Sequence, residues 1–407
     1  MRTVDGEQLK KVLQGLPKNP RVLVSGNFGT PKALLALFDE IVPEYTLHML
    51  NAQPGIPNRP GVTYETAFVG AGMRGSERLN YVPSRLSLVP VMLRDHLVPD
   101  VVLIHTSSLR FDTVSLGIEV NILPAAIEAA REHGGIVIAQ SNSNMPYTYG
   151  DAQIYENEID FIFEQDEPLN VHTPAAIPET AKEIGRKIAE LVPSGSTLQL
   201  GIGSVPDAVV ELMTKRTDLR VWTEMFSDGV LNLEKIGALD TDIPITASFI
   251  FGSEELYSWL HLNRRVRMLR TEKTNDPAQI AKQAKMTSIN AALQVDLLDQ
   301  ANASRVRDKI YSGFGGSTDF IVGALHSRGG KSFMTLPSWH AKTNTSKIVP
   351  MINDGVTSFQ HSFVVTEQGI AECFGHNESE QAKNLIEKAA HPDARSDLRI
   401  AAKKMGL

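Results

Sequence analysis

Short apolar segments rich in β-branched residues alternate with longer segments of helical period, and this alternation constrains the fold more than any other feature of the chain. The strands predicted from it are 21–25, 100–105, 135–140, 197–200, 245–251 and 362–366. The helices predicted between them are 31–41, 125–132, 180–191, 206–214 and 379–390. Strands that alternate with helices are typical of an α/β fold with mainly parallel sheets.

A polar, proline-marked segment, 164–178, separates two stretches that each contain the strands and helices of an α/β core. We place a boundary there, which predicts an N-terminal domain 1–172 and a C-terminal domain 173–407. A weak internal repeat supports this division. The segments 22–35 and 198–210 both have the pattern of a strand, a glycine turn and a helix whose first turn contains proline. The sequence therefore predicts two tandem, similar α/β domains.

Composition and charge exclude several classes of protein. With 40 basic and 47 acidic side chains the net charge is −7, which argues against nucleic acid as the main partner. The N-terminus is charged from Arg2 onward, and no run reaches the roughly 18 apolar residues of a membrane span, so we expect a cytoplasmic protein without membrane contact. The single Cys373 excludes an internal disulfide, and the 11 histidines have no metal-binding spacing, so we expect no metal. Cys373 itself is expected to be a buried, small apolar residue.

The segment 201–207, Gly-Ile-Gly-Ser-Val-Pro-Asp, is the most informative turn. It begins like a dinucleotide-binding fingerprint, but Pro206 replaces the third glycine, which argues against a Rossmann cofactor site. Ser204 and Asp207 have the spacing of a capping box that opens a helix. The backbone N–H groups of such a helix start attract phosphate or a developing oxyanion, although a plain structural turn explains the same residues.

A second glycine-rich loop lies at 311–319 and contains Gly313, Gly315 and Gly316. Three glycines in four residues allow backbone amides to face a ligand without obstruction by Cβ atoms. A structural turn and a ligand-binding loop are equally compatible with this pattern.

Glu224 lies in the segment 221–229, at the end of an apolar strand and just before a polar turn. Ligands bind at the carboxyl ends of parallel strands, so this carboxylate is a candidate nucleophile or base, with a helix cap or a solvated acid as the alternative. The internal repeat aligns Glu224 with the apolar Met49 of the N-terminal half. Carboxylate chemistry at this position can therefore belong only to the C-terminal half. The competing acids are two residues expected in the first turn of a helix and one at a strand end: Glu254, Glu255 and Glu367.

Seven segments, taken together and in order, carry a resemblance to a known family. They are 198–209, 222–230, 289–297, 312–320, 346–352, 364–372 and 389–395. Their sequences resemble those of the acetyl-CoA hydrolase/transferase family, and within it the 4-hydroxybutyrate and butyrate:acetate CoA-transferases. The resemblance is specific over about 175–400 and thinner over 1–172. It implies two tandem α/β domains of the CoA-transferase-like, NagB/RpiA type.

The resemblance also implies a reaction and a site. Glu224 would attack an acyl-CoA thioester and then carry CoA as a glutamyl thioester in ping-pong catalysis, with acyl-CoA and small carboxylic acids as substrates and no tightly bound cofactor. The oxyanion candidates are the glycines Gly203, Gly315 and Gly316. The family likeness suggests a homodimer or larger homo-oligomer. The residues implied in CoA binding are Gly201, Ile202, Gly203, Ser204, Val205, Leu293 and Gly316.

Four positions depart from the family pattern or from the loop expected there: Gln140, Asp299, His340 and Gln368. Gln140 and His340 are candidates for the acyl pocket, with ordinary polar loop residues as the alternative. Two other functions remain open. One is an acyl-CoA hydrolase in which water intercepts the same glutamyl intermediate. The other is a non-catalytic acyl-CoA-binding protein, which would have no use for an intact nucleophile motif.

Overall fold

Parallel strands dominate both halves of the chain, as the alternation of strands and helices predicts. The structure is a computed structural model, and it describes residues 1–172, 176–201, 203–307, 309–356 and 360–407. These residues form two compact units. The first contains Met1–Thr173, Pro244–Thr274 and Ile310–Gly315, and the second contains Pro174–Ile243, Asn275–Lys309 and Gly316–Leu407.

The first unit is built on an eight-stranded sheet whose neighbouring strands all pair in parallel. The strands in spatial order are Arg2–Thr3, Phe161–Glu164, Ile136–Ser141, Val101–Thr106, Arg21–Val24, Tyr45–His48, Val62–Thr66 and Leu79–Tyr81. Smaller strands are Thr113–Ser115, Tyr149–Gly150, Gln153–Tyr155, Ile245–Ala247, Phe249–Ile250 and Val266–Met268. Its helices include Gly6–Leu13, Lys32–Ile41, Val89–Asp95, Leu123–Glu132, Glu254–Leu260 and Thr271–Thr274.

The second unit is built on a six-stranded sheet, parallel except for its last strand. The strands in spatial order are Arg220–Val221, Thr197–Leu200, Thr287–Ala291, Lys331–Thr335, Phe363–Val365 and Ile370–Glu372. Smaller strands include Gln294–Asp296, Ala301–Asn302, Trp339–His340, Thr345–Ser346 and Ile348–Val349. Its helices include Glu179–Leu191, Ser204–Leu212, Asp228–Lys235, Pro277–Ile280, Ser317–His326, Glu378–Asn384 and Pro392–Met405, with a π-helical turn at Leu385–Ala389.

The two sheets repeat one strand order, which agrees with the internal repeat in the sequence. Arg21–Val24 lies between Tyr45–His48 and Val101–Thr106. In the same way Thr197–Leu200 pairs with the next strand along the chain on one side and with a later one, Thr287–Ala291, on the other. The prediction of two similar α/β domains with mainly parallel sheets is therefore confirmed.

Two predicted elements differ in detail from the structure. The strand predicted over 245–251 is divided into Ile245–Ala247 and Phe249–Ile250, because the carbonyl of the intervening Ser248 accepts hydrogen bonds from the N–H groups of Val120 and Asn121 at 3.0 and 3.1 Å. The helix predicted over 379–390 ends in the π-helical turn. Within the described residues, no helix has both the length and the apolar character needed to cross a membrane.

Candidate active site

The loops that follow the parallel strands of the second unit carry most of the predicted site residues. Gly201 follows the strand Thr197–Leu200, Glu224 comes shortly after Arg220–Val221, and Leu293 follows Thr287–Ala291. The carboxyl ends of parallel strands meet at one edge of a sheet, where ligands bind in open α/β folds. The sheet therefore gathers at one edge residues that are far apart in the sequence.

Glu224 is held in place by a side chain that no sequence pattern indicated. The Nδ2 atom of Asn275 donates a hydrogen bond of 3.0 Å to its Oε2 atom. Glu224 as a whole residue is partly buried. A carboxylate that is fixed in one orientation is suited to react with a substrate placed beside it.

The surroundings of Glu224 raise its pKa from 4.5 to about 7. Burial is the main cause, because an enclosed carboxylate loses hydration when it ionises. The hydrogen bond from Asn275 acts in the opposite direction, whereas the negative charge of the buried Asp319 raises the pKa further. A carboxylate whose pKa lies near neutrality is a desolvated, reactive group rather than an ordinary surface acid.

Gly316 lies directly against the Glu224 carboxylate. It is the N-cap of the helix Ser317–His326. A Cβ atom at this position would overlap with Oε2 of Glu224 and Nδ2 of Asn275. Glycine is therefore required for the carboxylate to approach the helix start, where backbone N–H groups and the helix dipole favour a negative charge. The structure thus brings Gly316 and Glu224 together.

The loop around Gly203 opens the helix Ser204–Leu212 in a different way from the predicted one. Its N-cap is Gly203, with φ at 123° and no side-chain cap, so the expected capping box of Ser204 and Asp207 is wrong. The positive φ turns the chain sharply into the helix, which makes Ser204 the first helical residue. Gly203 and Ser204 are exposed, whereas Val205 is buried. Ile202 lies outside the described residues.

Thr223 links this loop to the segment that carries Glu224, and no sequence pattern indicates this role. Its buried hydroxyl donates to the carbonyl of Met225 at 2.8 Å and lies 3.3 Å from the carbonyl of Leu200. The same oxygen accepts the N–H of Leu200 at 3.2 Å. The hydroxyl therefore ties the end of one strand, next to Gly201, to the residues on both sides of the carboxylate.

Two further predicted site residues, Leu293 and Gly315, form backbone hydrogen bonds within the protein. Leu293 is half-buried, and its N–H donates to the carbonyl of Asn302 at 2.7 Å, so this N–H is not available to a ligand. Gly315 belongs to the first unit and has φ at 57°. Its carbonyl accepts the N–H of Leu86 at 2.9 Å, and a Cβ atom would come within 3.1 Å of the Phe68 ring. Backbone geometry therefore explains the glycine at this position.

The competing carboxylates differ from Glu224 in environment. Glu367 follows the strand Phe363–Val365 and accepts hydrogen bonds from the N–H and Oγ of Ser338, the first at 2.9 Å. Although burial opposes its ionisation, these bonds hold the pKa of Glu367 below its usual value. Glu254 and Glu255 lie in the first turn of a helix with Ser253 as N-cap, as predicted.

Cys373 is fully buried, and burial raises the pKa of its thiol far above the usual range. A buried thiol of this kind is not available as a nucleophile, in agreement with the predicted apolar role. Nowhere in the described ranges do three or more histidine, cysteine, aspartate or glutamate side chains cluster as metal ligands would.

Each of the four residues that depart from the family pattern, or from the loop expected there, forms a hydrogen bond within its own unit. The fully buried Gln140 accepts the N–H of Leu34 at 2.9 Å, which caps a helix of the first unit. Asp299 is buried beside His361; its carboxylate accepts the backbone N–H of His361 at 2.8 Å and lies 2.6 Å from Nδ1 of the same ring. The remaining two are His340, which bonds to Thr343 Oγ1 within its own hairpin, and the exposed Gln368, which bonds to the neighbouring Glu367.

Comparison with known proteins places this chain in a family. Residues 252–402 match the acetyl-CoA hydrolase/transferase C-terminal domain. The chain is 33% identical over 418 residues to the 4-hydroxybutyrate coenzyme A transferase of Clostridium kluyveri, covering 97% of this chain and 96% of the relative. The acetyl-CoA hydrolase of Kluyveromyces lactis is 31% identical over 210 residues, which cover 48% of this chain and 38% of the hydrolase.

Solved structures agree with the sequence comparisons. The crystal structure of RipA from Yersinia pestis superposes with a TM-score of 0.91 at 27% identity, covering 100% of this chain and 98% of RipA. The 4-hydroxybutyrate CoA-transferase of Porphyromonas gingivalis superposes with a TM-score of 0.82 at 28% identity, covering 99% of this chain and 98% of that protein. The chain is an enzyme that belongs to the acetyl-CoA hydrolase/transferase family, whose members transfer CoA or hydrolyse acetyl-CoA.

Proposed function

We propose that this enzyme is a CoA-transferase that moves CoA between a short-chain acyl-CoA and a carboxylic acid through covalent intermediates on Glu224. The observation that carries the proposal is the Glu224 carboxylate, held by Asn275 and packed against Gly316 at a helix start. The extent of the matches favours transfer over hydrolysis, because a transferase aligns with 97% of the chain and a hydrolase with 48%.

The first half-reaction begins when the ionised Glu224 attacks the carbonyl carbon of the donor thioester. A C–O bond forms, the C–S bond breaks, and CoA leaves as a thiolate, which produces an acyl-glutamyl anhydride. The thiolate then attacks the glutamyl carbonyl carbon and expels the donor acid as a carboxylate. The product is a glutamyl-CoA thioester, and no proton is gained or lost in these steps.

The second half-reaction runs the same steps in reverse with the acceptor acid. Its carboxylate attacks the glutamyl-CoA thioester, CoA leaves as a thiolate, and the thiolate attacks the acceptor's acyl carbon. The new acyl-CoA is released and the Glu224 carboxylate is restored. Because Glu224, the CoA thiolate and the acceptor carboxylate supply every nucleophile in the scheme, we propose that the enzyme needs no tightly bound cofactor.

Asn275 and the helix start at Gly316 have a defined part in this scheme. Attack on the glutamyl carbon places negative charge on a glutamate oxygen. The amide of Asn275, already 3.0 Å from Oε2, can hold that charge without rearrangement. The loss of one such donor typically costs about 3 to 4 kcal/mol of transition-state stabilisation. We assign the additional oxyanion roles to Gly203 and Gly315 as candidates.

CoA binding is proposed at the loop from Gly201 through Ile202, Gly203 and Ser204 to Val205, with the side chain of Leu293. The exposed Gly203 at the start of the helix Ser204–Leu212 leaves N–H groups available to a negatively charged ligand. A chain with net charge −7 must bind the polyanionic CoA through such local features rather than through its overall charge.

Trapping of the intermediate tests the proposal. The enzyme is incubated with an acyl-CoA and no acceptor, treated with borohydride or hydroxylamine, digested and analysed by mass spectrometry. We expect the modification on Glu224 and its loss in the Glu224→Gln variant. A modification at another residue, or full exchange activity in that variant, contradicts the mechanism.

Hydrolysis is separated from transfer by the dependence on an acceptor. Donors such as acetyl-, butyryl- and succinyl-CoA are combined with a panel of carboxylic acids, and free CoA and the new acyl-CoA are measured. For a transferase, formation of new acyl-CoA requires an acceptor acid and saturates with it. Release of free CoA at a rate independent of acceptor concentration identifies a hydrolase instead.

A further inference from the structure

Three exposed arginines surround a pair of tyrosines on the first unit. The rings of Tyr147 and Tyr149 meet edge to face at 5.7 Å. The guanidinium of Arg110 lies 5.9 Å from the centre of the Tyr147 ring, and that of Arg264 lies 6.0 Å from the centre of the Tyr149 ring. Arg267 is the strand partner of Tyr149, which places both side chains on the same face. We call these five residues the arginine–tyrosine patch.

The turn that presents Arg264 is fixed in a strained conformation. Leu262 has φ at 57°, a left-handed conformation that is unfavourable for a large side chain. Two hydrogen bonds hold the turn on the tyrosine segment, from Leu262 N–H to the carbonyl of Tyr147 at 2.9 Å and from Tyr147 N–H to Nδ1 of His261 at 3.2 Å. The Tyr147 hydroxyl is itself bonded to Oγ1 of Thr113 at 2.7 Å. These hydrogen bonds fix Tyr147 and the turn that precedes Arg264.

An open aromatic face lies beside the patch. Phe111 is 88% exposed and has φ at 57°, and the guanidinium of Arg110 lies 5.7 Å from the centre of its ring. Phe111 therefore presents an accessible aromatic ring next to a guanidinium group. Stacked bases are typical partners of aromatic rings that alternate with arginines.

The charges of the patch indicate a phosphate-bearing ligand. Arg110, Arg264 and Arg267 are exposed, and in the part of the chain that the structure describes they form no ion pair. This is an unneutralised local charge on a chain whose net charge is −7. Guanidinium groups bind phosphate in bidentate fashion, and three of them match the charge of a single nucleotide better than that of a long nucleic acid.

We propose that the arginine–tyrosine patch binds an adenine nucleotide, with its phosphates on the arginines and its base on Phe111. Two sources share this chemistry. One is a free nucleotide that acts as an effector, and the other is the 3′-phospho-ADP portion of CoA. The second source rests on the proposed function, whereas the first does not.

Calorimetric titration with ADP and with 3′-phospho-ADP tests the proposal. The full-length Glu224→Gln variant is used so that no turnover accompanies binding. We expect Arg264→Ala combined with Arg267→Ala to weaken nucleotide binding about tenfold or more. The matched control is Lys10→Ala with Lys11→Ala, which removes the same charge from the exposed face of the helix Gly6–Leu13 and is expected to leave the affinity unchanged.

Steady-state kinetics of the two arginine substitutions in the active enzyme distinguish the sources. A rise in KM for acyl-CoA with unchanged kcat identifies CoA as the ligand. Loss of ADP affinity with unchanged KM identifies a free nucleotide. The proposal is overturned if neither nucleotide binds at millimolar concentration, if the lysine control weakens binding equally, or if a short single-stranded RNA binds more tightly than either nucleotide. Because binding is measured without turnover, failure of the proposed catalysis leaves these results interpretable.

Discussion

The raised pKa of Glu224 makes the folded protein less stable when this side chain is ionised, and Glu224→Gln should reveal the effect. The pKa is 4.5 without the protein environment and about 7 within it. One pKa unit corresponds to about 1.4 kcal/mol, so a rise from 4.5 to about 7 sets an upper bound of about 3.5 kcal/mol. Glu224 is partly exposed as a residue, and solvent screening reduces this to about 1 to 3 kcal/mol.

The sign and the pH window follow from proton binding. Between about pH 4.5 and pH 7 the folded protein holds a proton on Glu224 that the unfolded chain has lost, so stability falls as pH rises through this window. Below about pH 4 both states are protonated and the penalty is absent. We therefore expect Glu224→Gln to match the wild type below pH 4 and to exceed its unfolding free energy by about 1 to 3 kcal/mol above pH 8. Exchange activity in this variant should fall by about 10⁴-fold or more.

Urea unfolding at a series of pH values measures this difference. Glu367→Gln is the matched control, and its effect on the unfolding free energy should have the opposite sign. The reason is that the hydrogen bonds from Ser338 lower the pKa of Glu367. That substitution should destabilise the protein at neutral pH, and the loss should shrink as pH falls through the lowered pKa. A stability difference for Glu224→Gln that is independent of pH, or a loss of stability at pH 8, would refute the argument that burial opposes ionisation of Glu224.

Three further predictions concern the neighbours of the proposed nucleophile. Asn275→Ala should lower kcat by about 10²- to 10³-fold and move the acidic limb of the pH–kcat/KM profile to higher pH. Asp319→Asn should move the same limb to lower pH. Shifts in the same direction would contradict the opposite effects that we assign to these two residues on the pKa of Glu224. Gly316→Ala should lower kcat about 10²-fold or more because its Cβ atom displaces the carboxylate, and an unchanged kcat would show that the contact is unimportant. Thr223→Val should cost about 1 to 3 kcal/mol of stability and reduce activity. Thr197→Val is the control, because it removes a buried hydroxyl that has no hydrogen-bond partner in the described structure. This control should leave stability and activity nearly unchanged.

The sequence predicts the fold well because the fold depends on local patterns. Apolar runs mark the strands, helical period marks the helices, and the repeat of 22–35 in 198–210 anticipates the common strand order of the two sheets. The position of Glu224 after a strand follows from the same patterns. These features depend on residues that are close together in the chain, so periodicity and turn residues are sufficient to find them.

The rest of the site depends on contacts between distant residues, which such patterns do not encode. Asn275 and Asp319 are 51 and 95 positions beyond Glu224. Asp319 ends the glycine-rich loop 311–319, but that pattern does not indicate that its carboxylate acts on Glu224. Thr223 is adjacent to Glu224, but its role depends on the end of a neighbouring strand at Leu200. Gln140 also has a partner that the sequence does not indicate, because its side chain accepts the N–H of Leu34 at the start of the helix Lys32–Ile41.

The repeated sheets provide two corresponding helix starts for comparison, and only one of them is open to an external anion. In the first unit, the N-terminus of the helix Lys32–Ile41 is already occupied, because the carboxylate of Glu167 accepts the N–H groups of Lys32 and Ala33 at 2.9 and 3.1 Å. The corresponding helix of the second unit, Ser204–Leu212, begins at an exposed glycine without a side-chain cap. The same helix dipole is thus satisfied internally in one unit and left accessible in the other. Since Met49 occupies the position of Glu224 in the first unit and is fully buried, the free helix start and the carboxylate at these two positions occur together in only one of the two repeats.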